Sequence, residues 1–421
     1  MIRTFLIAIA ATLVAISAAA QEAATPPRFF IERIEVRNAD RVSPEVVVSE
    51  SRLREGAEYS EVELSDAAAR LNRLPYLLSA EFSLEKGSER GRHVLVITLT
   101  ETKPFFYLLD FRPIFSGIRN DDPISIAAGD PLGGSDNQGV LGARWFVGRR
   151  GAIHLGLFGR DDNHEFTEDY SAFMVGYTQY DLFGTQAFAT LNLKRPLSFD
   201  GTGSISPQLV VGVPLSLNQT LTLTYDETRF SPDTTTIADL QFNTQNNERI
   251  ISARWSYNTT NDPFLPTSGT LLSATPLVAW RDSARYTYLN DGPPFTPVAT
   301  SHHLNSVGLD LAAARYFELS ERNSIAVGGE AGWARVDERS NRRPDRTFDS
   351  TYEFAHATFS HSLWDREEQK RGDSRFDWEL RVTNRDNGRN RYRDGTHLEA
   401  AWAWVRRSSF GIIRLGLGYA W

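Results

Sequence analysis

The 421-residue chain contains no cysteine. That absence excludes a disulfide framework, a thiol nucleophile and any thiolate-ligated metal. Long apolar runs are missing too: beyond the N-terminal segment nothing approaches the roughly 18 residues that a helical membrane span needs, and mean hydropathy is negative. Helical spans are excluded. Nor is there an excess of positive charge, since 45 Lys and Arg stand against 53 Asp and Glu. The basic stripe of a nucleic-acid binder is absent, and no nucleic-acid partner is expected.

Aromatic residues and glycine are plentiful, with 25 Phe, 14 Tyr, 9 Trp and 30 Gly. A polar but aromatic-rich balance is what membrane-barrel strands produce, because only every second residue meets lipid while its neighbour faces a wet lumen. An aromatic-rich soluble β-sandwich or lectin has a similar composition. At the N-terminus one basic residue, Arg3, precedes an apolar stretch from Phe5 that ends in Ser17-Ala18-Ala19-Ala20-Gln21. This pattern predicts a secretory signal peptide over residues 1–20, cut after Ala20.

Residues 28–102 read as a small α/β domain. Ile34 and Val36 alternate with charged residues as in a half-buried strand. Ser43-Pro44 predicts an N-cap with Pro in the first turn, and Gly56 predicts the end of that helix. Ser60-Glu61-Val62-Glu63 is a capping box, followed by Leu64, Ala67, Ala68, Leu71 and Leu74 at helical spacing. Two strands close the unit, one with Leu78, Ala80, Phe82 and Leu84 on one face, the other with Leu95, Ile97 and Leu99. The predicted order is β-α-α-β-β.

From residue 104 to 421 a two-residue period replaces the helical one. Ile413, Leu415, Leu417, Tyr419 and Trp421 share one face, opposite Arg414, Gly416, Gly418 and Ala420. The same alternation recurs around Leu221, Ile251 and Val307. Polar stretches at residues 161–169, 231–247, 281–301 and 337–350 read as long loops, and Gly148–Gly151, Asp181–Gly184 and Glu318–Asn323 as short turns. The expected fold is mixed: the small domain, then an all-β antiparallel transmembrane barrel of about 14–16 strands. Sixteen is favoured, because a barrel with both ends on one side of the membrane needs an even number.

Several segments resemble known families. Leu53 to Ser60, the Leu71-Asn72-Arg73-Leu74 helix end and Ala80-Glu81-Phe82 resemble the polypeptide-transport-associated (POTRA) domain. Asn258 to Thr270 is similar to the Asp-x-x-x-x-Pro-Thr-x-Gly turn of the BamA/TamA outer-membrane assembly superfamily, and Asp181-Leu182-Phe183-Gly184 to its Asn-Leu-Phe-Gly turn. The superfamily's Val-Arg-Gly-Phe/Tyr loop motif has no counterpart; Arg371-Gly372 is the nearest string, and a charged turn is its plain reading.

The resemblance implies an outer-membrane protein with a periplasmic POTRA domain that assists insertion, assembly or translocation of polypeptides. A structural or pore-type barrel is the alternative. Under the first reading Leu78, Ala80, Phe82 and Leu84 form an edge strand that binds clients. Asp110, Gly416 and Gly418 mark the seam between first and last barrel strands. There glycine either weakens pairing or makes room for lumen side chains. Leu415, Leu417, Tyr419 and Trp421 form the C-terminal membrane-assembly signal. Outer-membrane lipid, unfolded outer-membrane or secreted polypeptides, and periplasmic or lipoprotein partners are the expected contacts. The eight His show no metal-ligand spacing and no catalytic constellation appears, so no metal, cofactor or enzymatic activity is expected.

Overall fold

The computed structural model describes residues 27–72, 74, 76–116, 124–127, 137–160, 170–197, 204–237, 240–262, 265–289, 298–341, 343–363, 374–386 and 395–420. The expected signal peptide, Arg371-Gly372 and Trp421 lie outside the described residues.

The small domain comprises β1 (Arg28–Arg37), α1 (Pro44–Ser51), β2 (Ala57–Ser60), α2 (Glu61–Asn72), β3 (Leu77–Lys86) and β4 (Arg92–Glu101). Its sheet has the order β2-β1-β4-β3, with β1 and β4 parallel and both outer pairs antiparallel. The short β2 is an addition to the predicted order, because four polar residues give no periodic signal. The capping box forms as predicted: the Ser60 N–H donates to Glu63 Oε2 at 2.7 Å and the Glu63 N–H to Ser60 Oγ at 3.3 Å. These bonds hold the Glu63 carboxyl below its ordinary range.

Two expectations for α1 are corrected. Ser43 occupies the N-cap position but makes no side-chain cap. The helix ends at Ser51, where Arg52 rather than Gly56 takes the left-handed conformation, at φ 61°. Gly56, at φ 77°, closes a later turn. In β3 the register shifts between Leu77 and Ser79, so Leu77 enters the core, 1 % exposed, in place of Leu78. Ala80 is buried, Phe82 packs at the core's edge and Leu84 is exposed.

The barrel begins at β5 (Phe105–Ser116), followed by the short β6 (Ile124–Ala127), then β7 (Asn137–Val147), β8 (Gly151–Arg160), β9 (Tyr170–Leu182), β10 (Ala187–Leu197), β11 (Ser206–Pro214), β12 (Gln219–Ile237) and β13 (Leu240–Asn258). It continues through β14 (Gly269–Leu289), β15 (Val298–Glu318), β16 (Asn323–Ser340), β17 (Arg346–Ser362), β18 (Ser374–Asp386), β19 (Gly395–Ser408) and β20 (Gly411–Ala420). Neighbours pair antiparallel from β7 to β20, β5 pairs with β7, and β20 closes the sheet by pairing with β5 in parallel. Among the described residues sixteen strands join the sheet, but β6 pairs there with the distal part of β5 alone, so fifteen make the circumference. This count is inside the expected range. The parity argument for sixteen fails because a parallel closure leaves the first and last strands running the same way, which an odd number requires.

Outward residues form the apolar band that lipid demands: Leu155, Val175, Leu193, Leu223, Val307, Leu309 and Leu417 are all exposed, as are Trp145, Trp333, Trp378 and Trp402. Of the polar stretches read as loops, residues 161–169 lie outside the described residues, and the described parts of the other three are largely strand. The ladder of β12 and β13 continues to Ile237↔Leu240, and that of β14 and β15 to Thr287↔Val298. Beyond the membrane both faces of a strand meet water, so alternation disappears from the sequence while main-chain pairing persists.

Candidate functional site at the foot of the barrel seam

The seam is where the chain's two barrel ends meet. Gly411 pairs with Tyr107, Arg414 with Asp110, Leu415 with Phe111 and Gly418 with Ile114. Asp110 and the two glycines therefore lie on the strands that close the barrel, but Asp110 faces Arg414 in register and not Gly416. A Cβ on Gly416 would lie 2.2 Å from the Trp402 carbonyl oxygen. Glycine there leaves room for the backbone of the adjacent strand. Gly411 is more demanding: its φ is 138°, and a Cβ would collide with the Tyr107 carbonyl. Of the C-terminal signal residues, Leu415 and Leu417 point outward at 44 % and 53 % exposure, beside exposed Tyr419.

Around this foot the small domain is tied to the barrel. The Lys103 N–H donates to the Ser409 carbonyl at 2.9 Å, the Tyr107 N–H to the Phe410 carbonyl at 2.7 Å, and the Tyr107 hydroxyl meets Ser408 Oγ at 3.0 Å. Arg407 sits one residue before that turn. Its guanidinium pairs with Asp262, in the Pro- and Gly-bearing turn between β13 and β14, and reaches the Leu78 carbonyl at 3.5 Å. Asp262 Oδ1 also accepts the Leu265 N–H at 2.8 Å, and Leu265 is buried. Gly269, at φ 109°, completes the turn where any Cβ would strike the Thr259 carbonyl. One arginine thus touches the seam turn, the cross-mouth turn and the domain's outer strand.

On the other side α1 packs against β8 and β9 of the barrel. Val46 and Val47 belong to one apolar core with Ala152 and Tyr180 of the barrel, and Phe146 and Phe188 pack against it. Tyr76 meets Phe146 edge-on at 5.0 Å, and Arg144 lies 5.1 Å from the Tyr76 ring centre. The Arg52 guanidinium donates to carbonyls in the β11–β12 turn, at 2.6 Å to Gln219 and also to Ser216, and to the Thr220 hydroxyl. Burial lowers its pKa to about 10. Asn218 donates to Asp66 at 2.8 Å and accepts from Arg70 at 3.3 Å. Glu50 lies at this interface, where removal from water pushes its carboxyl up against the opposing pull of Arg52, Arg70 and Arg144.

Inside the barrel, β8 to β12 carry a continuous polar ladder. His154 Nε2 meets Asn192 Oδ1 at 2.7 Å, Asn192 donates to Gln208 at 2.7 Å, Gln208 donates to Asp226 at 3.2 Å, and Asp226 pairs with Lys194. Lys194 is 0 % exposed and His154 2 %. This wall does not line an open water channel.

A closed, single-layer sheet with an apolar outer band and a polar inner face settles the class. The molecule is a transmembrane β-barrel of the outer-membrane kind. Among solved structures, the barrel protein is similar to CdiB from Escherichia coli, at 11% identity and TM-score 0.45 over 90% of this chain and 70% of that one. It is also similar to BamA from Haemophilus ducreyi lacking POTRA domains 1–3, at 10% identity and TM-score 0.31 over 93% and 81%. A third similarity is to the ferric yersiniabactin uptake receptor FyuA from Yersinia pestis, at 8% identity and TM-score 0.31 over 78% and 60%. No protein-family profile matches the barrel protein. No curated protein matches it either.

Among the described residues β3 lies at an edge of its sheet and pairs with β4 alone. Sequence reasoning missed Arg52, Arg407 and the role of Asn72. Arg52 was concealed because nothing marks a left-handed arginine, and Arg407 because it looks like half of a solvated Arg406-Arg407 pair.

Proposed function

We propose that this outer-membrane barrel assists the insertion, assembly or translocation of polypeptides, with its small POTRA-like domain in the periplasm. One observation carries the reading: the domain's outer strand, β3, starts at the foot of the β5–β20 seam, joined to it through Arg407. A strand edge binds extended chains through main-chain hydrogen bonds without demanding a sequence. A seam whose two strands meet in parallel is the place where an incoming strand would find partners on both sides. No catalytic chemistry is required of it, and the partners are unfolded polypeptides and lipid.

The test is crosslinking in outer membranes, with a photoreactive residue at Phe82 and another at Leu109. Nascent barrel polypeptides should be trapped from both positions. Trapping from neither, with normal barrel levels, would favour a structural or pore-type barrel.

A further inference from the structure

The outer edge of β3 is not uniformly available. From Ser79 to Lys86 the pairing with β4 is regular, so every second residue turns its N–H and C=O away from the sheet. The Ala80 N–H is one such group, since it donates to Asn72 Oδ1 at 2.6 Å, and Asn72 Nδ2 lies 3.4 Å from the Ala80 carbonyl. Phe82 and Leu84 share its parity. A carboxamide that accepts from and donates to one residue reproduces what a peptide unit in an adjacent strand would do. Asn72, the last residue of α2, therefore stands where a client's backbone would stand. At the barrel-proximal end, the Leu78 carbonyl is approached by Arg407.

We propose that Asn72 is a built-in competitor for polypeptide binding, capping the seam-proximal part of the β3 edge. Resting on the assembly reading, this divides the edge in two. An extended chain first pairs with Phe82 and Leu84, whose outward groups meet no neighbouring strand among the described residues. To advance toward the seam it must then displace Asn72 from Ala80 and next Arg407 from Leu78. The occupant is the main chain of an extended segment, with apolar side chains suited to half-buried Phe82 and exposed Leu84.

The experiment uses the full chain in lipid nanodiscs and a fluorescent decapeptide of alternating Val and Thr with terminal Lys. Affinity is measured for the parent, Asn72→Ala, Asn72→Asp and Phe82→Pro, with photocrosslinking from position 80. Asn72→Ala should bind about 3- to 10-fold more tightly, the worth of roughly one recovered main-chain hydrogen bond, and crosslinking from position 80 should rise. Asn72→Asp keeps the acceptor and loses the donor, so its gain should be smaller. It also serves as the second variant if Asn72→Ala weakens the end of α2. Phe82→Pro should abolish binding. Parent-like affinity in both Asn72 variants, with binding still lost in Phe82→Pro, overturns the competitor and leaves the assembly reading intact. Binding that survives Phe82→Pro moves the site off β3 and overturns the proposal. Failure of every variant to bind removes the assembly reading along with it.

Discussion

At the residue scale Arg52 shows a local rule broken for a distant contact. A left-handed non-glycine residue costs roughly 1–2 kcal/mol. Charge-assisted hydrogen bonds of the kind Arg52 makes to the β11–β12 turn contribute about 1.5–3 kcal/mol, which offsets that strain only while the domain is docked. Arg52→Gly and Arg52→Ala should therefore both loosen docking, seen as faster protease cleavage in the 102–104 linker. Only Arg52→Gly should avoid the backbone strain, and so it should keep the higher thermal stability of the two. Glu50 adds a pH dependence. Its carboxyl is raised in the docked state, so docking takes up a proton: the stabilisation is full below the ordinary glutamate value and is lost as pH rises through the raised one. Linker cleavage should be slower at pH 5 than at pH 8, and Glu50→Gln should flatten that difference. An unchanged pH profile in Glu50→Gln would place the titrating group elsewhere.

The elements were legible to different depths. Helix α2 could be read from its capping box and spacing, and the barrel strands from their alternation. The reach of β12 to β17 beyond the membrane could not, because water on both faces removes the period that marks a strand. The seam is an element-scale feature, and its register bears on any attempt to lock it. Cysteines at Asp110 and Gly416 would not face each other, and Gly416 has no room for a side chain. Leu109 and Ile413 are register partners, and in a chain without cysteine an introduced pair gives the only thiols. Oxidation of a Leu109→Cys, Ile413→Cys barrel should halt client assembly and reduction should restore it. Equal assembly rates in the locked and reduced forms would show that the seam stays shut during function.

At the scale of the whole molecule, the domain is attached to the barrel at two separate places. Helix α1 packs against β8 and β9, and the turn carrying Asp262 reaches Arg407 on the β19 side. Full-length protein in planar bilayers should therefore conduct weakly. Arg52→Ala combined with Arg407→Ala should raise conductance or open it intermittently, because both attachments are lost. Parent-like conductance in the double variant would mean that the inner wall around Lys194 is the barrier and the docked domain is not.

The sequence alone determined what depends on short-range periodicity and chemistry: absence of thiol chemistry, a small α/β unit before a barrel, and β3 as a candidate edge. These follow from side-chain patterns two to four residues apart, which act before the chain has a tertiary shape. Tertiary structure decided the rest. The parallel closure, the fifteen-strand circumference, the meeting of Asp262 with Arg407 and the capture of Ala80 by Asn72 bring together groups whose positions depend on the closed sheet or on how a helix end falls across a strand. No local pattern encodes such a meeting, because its energy comes from contacts that exist only once the barrel is shut and the domain has docked.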